Sequence, residues 1–130
     1  RGINQAWTLI FYNIEHNKKM GISPAEYGRM IGARFAKTWD KSKGFNGLAT
    51  GFTGELQIMS NYVEVTNRDE TTFRVKILPP TNFKTWNFTE EELQESSKNY
   101  FSEIADYMGA NCSLIGDGRY WIITMNKRPE

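Results

Sequence analysis

Arg34 is the residue whose placement most invites chemistry. On a helical wheel of about 100° per residue it falls between Met30 and Ile31, in the middle of an apolar helix side, with Thr38 one turn on. A guanidinium pointed into a protein needs a carboxylate or phosphate partner, because an unpaired buried charge is very unfavourable. One reading is a receptor for an anionic ligand, with Arg34 forked onto it and Thr38 as a second donor. The competing reading is an internal ion pair, or a stem that extends its charge to water. Tyr12, Trp39 and Tyr100 are the aromatic residues expected to line such a pocket. Tyr62, Tyr107, Tyr120, Trp86 and Trp121 are further lining candidates, although core packing accounts for most of them.

Two other side chains carry reactive groups. His16 is the only histidine, and with Leu9, Tyr12 and Met20 it marks a second apolar stripe on the first helix, so it can titrate inside a cavity. Cys112 is the only cysteine and opens a strand after a helix stopped by Gly109. A nucleophilic thiol needs a nearby base, and His16 is the only imidazole to supply one. A surface or hydrogen-bonded histidine and a buried structural thiol are the simpler readings. A lone cysteine excludes an internal disulfide and a cysteine-based zinc site. Glu90, Glu91 and Glu92 fall in the first turn of a helix, where its dipole explains them without an acid–base pair. No catalytic constellation, metal site or cofactor is therefore expected.

Helices and hairpins must position these groups. Ile3, Ala6, Trp7, Leu9, Ile10, Phe11, Tyr12, Ile14 and Met20 make a first helix that is apolar on more than one side. It is expected to serve both the core and a second subunit, with Gly21 ending it. Ser23-Pro24 and Glu26 form a capping box, with Ile22 and Tyr27 as staple. The helix they open is expected to reach about Trp39. Its apolar side is Tyr27, Met30, Ile31, Phe35 and Trp39, and Gly28, Gly32 and Ala36 form a neighbouring strip for close approach. Phe45, Leu48, Phe52, Leu56 and Met59 recur at helical spacing, but Gly47, Gly51 and Gly54 predict a weak or broken helix, a mobile flap or tight contact with a neighbour.

Alternating Val63 and Val65, then Phe73, Val75 and Ile77, predict a hairpin across 67–70. Thr89 with Glu92, and Phe88 with Leu93, predict a long helix with a face of Leu93, Ser97, Tyr100, Phe101, Ile104 and Met108. A second hairpin pairs Cys112 to Ile115 with Arg119 to Met125 across Gly116-Asp117-Gly118. The expected fold is a single α+β domain over 1–130. N-terminal helices pack on a small antiparallel sheet made of two hairpins, with one long helix between them.

Composition narrows the partners. The chain has 130 residues, 14% of them aromatic, and a net charge of +1. That size and aromatic content support a core without staples and argue against disorder. Near-neutral charge gives no field for nucleic acid or membrane, and no run of about 20 apolar residues is present. A local excess of cations from Lys18 to Lys43 reads as a solvated surface. A soluble protein is expected, with the cytoplasm favoured as its compartment; a leader removed before Arg1 stays open.

The order of elements over 62–125, with the helix carrying Glu26-Tyr27-Gly28-Arg29-Met30-Ile31-Gly32, resembles the 4-vinyl-reductase-type domain and the L-2-amino-thiazoline-4-carboxylate hydrolase-like proteins. The resemblance covers about 100 residues and implies a domain that binds small molecules between helices and sheet. Cysteine-containing endings of that superfamily are absent after Ile115, so the resemblance assigns no catalytic residue. Three functions are expected from these features: a binding domain for an anionic or aromatic small molecule, a hydrolase of a small carboxylated substrate using His16 or Cys112, or a module that dimerises through its first helix.

Overall fold

The computed structural model describes residues 2–130, with side chains from residue 5 onward, so Ile3 of the apolar set lies outside the described side chains. Four α-helices and four strands follow in the order α1 (Gly2–Lys19), α2 (Pro24–Ala36), α3 (Gly44–Met59), β1 (Val63–Arg68), β2 (Thr72–Ile77), α4 (Glu90–Tyr107), β3 (Ala110–Asp117) and β4 (Tyr120–Lys127). The strands form one antiparallel sheet in the order β1-β2-β4-β3, so the two hairpins are joined through their second strands. This is the expected α+β architecture, with α4 between the hairpins.

Strand periodicity sets the inner face. Phe73, Val75 and Ile77 of β2, Trp121, Ile123 and Met125 of β4, and Ala110 and Leu114 of β3 are all buried. Arg74, Ser113 and Ile115 alternate with them toward solvent. Helices α3 and α4 contact the sheet, α2 packs along α4, and α1 touches α2 and α3. From α1 the side chains of Trp7, Phe11 and Ile14 enter the core, where Phe11 meets Phe83, Trp86 and Phe88 at centroid distances of 6.2, 5.9 and 5.3 Å. That contact pins the irregular segment before α4.

Of the two helix starts marked by a capping box in the sequence, α4 forms it in full and α2 in part. Thr89 and Glu92 make the reciprocal capping box. Ser23 Oγ accepts from Glu26 N at 3.1 Å, but the Glu26 carboxylate turns to Arg29 instead of closing the box. The ion pair with a guanidinium three residues on outcompetes a second cap bond.

The face α2 buries differs from the expected one. Pro24, Gly28, Gly32 and Ala36 are covered, whereas Met30 and Phe35 are exposed. A Cβ on Gly28 would overlap the Ser96 carbonyl, and one on Gly32 would stand 2.6 Å from Tyr100 O. The two backbones thus approach through the small strip, which displaces the larger apolar stripe to the rim. The helix ends at Ala36, short of Trp39.

The stretch 44–59 is a continuous helix, neither broken nor a flap. Two of its glycines, Gly47 and Gly51, are contact points. Trp39 lies over Gly51, where a Cβ would come 2.5 Å from Cζ3, so an indole replaces the missing side chain. The first turn falls later than 67–70, because Asp69 Oδ1 accepts from Thr71 N and Thr72 N while Asn67 and Arg68 stay in β1. The closing turn is likewise shorter, leaving Gly116 and Asp117 in β3.

Gly28→Ala is expected to destabilise the protein by about 1–3 kcal/mol through overpacking against α4 backbone. Gly54→Ala, whose Cβ meets nothing within 4 Å, is expected to stabilise it by about 0.5–1 kcal/mol. Urea unfolding of the two variants checks both signs, and equal effects would refute the packing account.

Candidate functional site

The expected anion receptor does not assemble. Arg34 is exposed, because the buried arc of α2 is centred on its glycines and Arg34 lies well away from it. Thr38 is exposed too, and its hydroxyl donates to Phe35 O at 2.7 Å. Tyr12 and His16 stand on the outer side of α1, their rings parallel at 6.0 Å, so His16 faces water and not a cavity.

Cys112 is half-buried between β3 and α4, and burial pushes its thiol up to about 12, against weaker opposing effects from Ser102 and Lys98. No hydrogen bond or ring contact among the described residues joins it to His16. The described residues also hold no group of three or more His, Cys, Asp or Glu placed to bind a metal.

Tyr100 meets a carboxylate the sequence reading did not single out, and Trp39 belongs to the same aromatic layer. The Tyr100 hydroxyl donates to Glu55 Oε1 at 3.0 Å. Phe52 and Phe101 link the two aromatics in series: Phe52 lies 5.7 Å from Trp39 and 5.1 Å from Phe101, which in turn lies 5.5 Å from Tyr100. Phe35 meets Tyr100 edge-on at 6.0 Å. Behind them Tyr27 hydrogen-bonds Asn13 of α1, so polar side chains from all four helices meet in this layer. Burial raises Glu55 above the usual carboxylate range, and the Tyr100 hydroxyl offsets only part of that. Burial and the neighbouring Glu55 raise the Tyr100 phenol. No ion pair among the described residues includes Glu55.

Two clefts open elsewhere. One, of about 330 Å³, lies between Phe45, Met108 and the last residues. Its cations are already satisfied, Arg128 by Asp106 at 2.6 Å and Lys127 by Glu130 at 3.6 Å. The other, of about 320 Å³, is walled by Trp7, Met59, Leu78, Pro79 and Pro80, with Ser60, Asn61, Thr81, Asn82 and Arg119 as polar lining. Its frame is rigid. Trp7 Nε1 donates to Met59 O at 2.6 Å, and Ser60 Oγ sits 2.8 Å from Leu78 O, tying the end of α3 to the end of β2. Arg119 leans on the Tyr120 ring at 5.6 Å and forms no ion pair among the described residues. The sequence reading placed Arg119 only as the first residue of the closing strand. Its signal, a cation beside a tight Gly-containing turn, is too common to mark a site without the fold. No protein family, curated protein or solved structure matches the chain.

Because the folded state raises the Glu55 pKa, the favourable protonated contribution is complete below the unfolded value and is lost as pH rises through the folded one. Glu55→Gln, which keeps an acceptor for Tyr100, is therefore expected to unfold at a higher temperature than the parent at pH 8 and at nearly the same temperature at pH 4. A pH series of thermal melts checks this; an advantage that does not grow with pH would refute it. Cys112 is expected to resist alkylation at pH 8 in the folded protein and to react on unfolding, measured by mass shift with iodoacetamide.

Proposed function

We propose that this protein is a small-molecule-binding domain whose ligand has an aromatic or apolar body and one anionic group. What supports the reading is the cleft of about 320 Å³ between Trp7, the end of α3 and the 78–82 segment. Its volume lies at the lower end of small-molecule sites, its walls are indole, thioether and proline, and Arg119 is its only charged lining residue among the described ones. The cleft leaves that guanidinium available for a bidentate carboxylate or sulfonate contact. Arg119 thus takes the role expected of Arg34, and Trp7 that of the aromatic wall. The sequence resemblance to small-molecule-binding domains points the same way. Hydrolysis gains nothing from the geometry, since His16 is exposed and the Cys112 thiol is held protonated.

Native mass spectrometry of the purified protein, followed by a tryptophan-fluorescence titration with aromatic carboxylates such as indole-3-acetate, tests the reading. Saturable binding is expected, with Arg119→Met weakening it about tenfold, or about 1.4 kcal/mol. Arg119 is exposed at a turn, so this variant should keep its melting temperature. No copurifying ligand and no saturable probe would sink the proposal.

One observation favours a second reading, self-association through α1. Leu9 and Tyr12 are exposed by 67% and 57% and share with His16 the side of α1 opposite its buried face, and Met20, 69% exposed, follows directly after the helix. A contiguous apolar stripe on a surface helix marks an interaction face. Light scattering across 1–200 µM is expected to show the mass rising toward a dimer, and Tyr12→Glu to return it to monomer. A constant monomer mass would dispose of this reading.

A further inference from the structure

We propose that Glu55 and the aromatic side chains beside it form a second site, one that takes a small organic cation of the quaternary-ammonium class. The proposal is independent of the cleft at Arg119 and opposite to it in charge. Its first support is an imbalance. A hydroxyl–acceptor link between α3 and α4 needs only a neutral acceptor, which glutamine would supply. The chain instead carries a carboxylate on an aromatic layer with one phenol as its hydrogen-bond partner and, among the described residues, no cation paired with it. A part-buried carboxylate so placed is unfavourable unless a positive group reaches it.

The second support is the shape of the rim. Glu55 sits one turn after Gly51, on which the Trp39 ring rests, and directly after Gly54, whose missing side chain leaves open space. On the α3 wheel Ile58 lies on this same open side, and it is exposed by 67%. Phe35, 51% exposed, closes the α2 side with its edge contact to Tyr100. Apolar and aromatic groups left facing water around one carboxylate are what a methylated ammonium recognises: the rings attract the cation through their quadrupoles, and the carboxylate adds the Coulomb term. A compact inorganic cation would find too few oxygen ligands here, which selects the organic class.

Choline is the probe, and 3,3-dimethylbutan-1-ol, the same shape without the charge, is its control. In calorimetric titrations of the full chain choline is expected to bind at least tenfold more tightly than the neutral analogue. Glu55→Gln, expected to fold at least as stably as the parent, should abolish that preference, and Trp39→Leu should weaken choline severalfold. Arg119→Met should leave choline binding unchanged, which separates this site from the cleft. Absence of saturable choline binding, equal binding of the two probes, or full binding by Glu55→Gln would each overturn the proposal.

Discussion

Backbone meets backbone where α2 crosses α4. Ser96 and Tyr100 of α4 present their carbonyls to Gly28 and Gly32, at a separation that leaves no room for a methyl group. A glycine inside a helix costs about 1 kcal/mol against alanine, so two on one face are retained only where close approach returns more. Much else follows from that contact. Because α2 is rolled onto its small residues, Met30 and Phe35 reach the rim and Arg34 reaches water. Because α4 is held so near, the Tyr100 ring is delivered beside Phe35 and its hydroxyl to Glu55.

The helical layer therefore contains a polar line in place of a uniform apolar seam. Asn13 with Tyr27, and Tyr100 with Glu55, use side chains from α1, α2, α4 and α3 in turn. Such groups fix relative helix positions more sharply than apolar contacts, since a misplaced helix would leave one of them unsatisfied. In the described structure no buried side-chain nitrogen or oxygen lacks a partner. The Arg119 cleft is built from different material, the junction of the last turn of α3 with the segment that follows β2. Its walls are held by Trp7 and Ser60, whose hydrogen bonds go to main-chain carbonyls. The two candidate sites thus differ in charge, in lining and in the elements that hold them.

Much of the fold was legible in the residues themselves. Alternation of Phe73, Val75 and Ile77 showed which face of β2 is buried, since side chains of a strand point to opposite faces. The capping pair Thr89 and Glu92 marked the start of α4 to the residue, because it satisfies orphan backbone groups locally. The 44–59 helix was legible by its apolar spacing, but its glycines read as breaks because the indole that covers Gly51 comes from outside the segment. Arg34 was misplaced for a related reason. A wheel ranks faces by hydrophobicity, and α2 buries the face that permits the shorter interaxial distance.

What the sequence determined by itself were local events: where α2 and α4 begin, which residues of β2 turn inward, and that one cysteine and one histidine cannot make a disulfide or a cysteine-based zinc centre. Those depend on neighbours within a few positions, and composition and spacing carry them. Tertiary structure alone decided which of two helix faces is buried, that Tyr100 reaches Glu55 and Trp39 joins the same aromatic layer while Tyr12, Arg34 and Thr38 stay exposed, and that a turn arginine stands at a cleft. Each of these is a contact between segments far apart in the chain, set by how closely two backbones can approach, and no one-dimensional pattern records that distance.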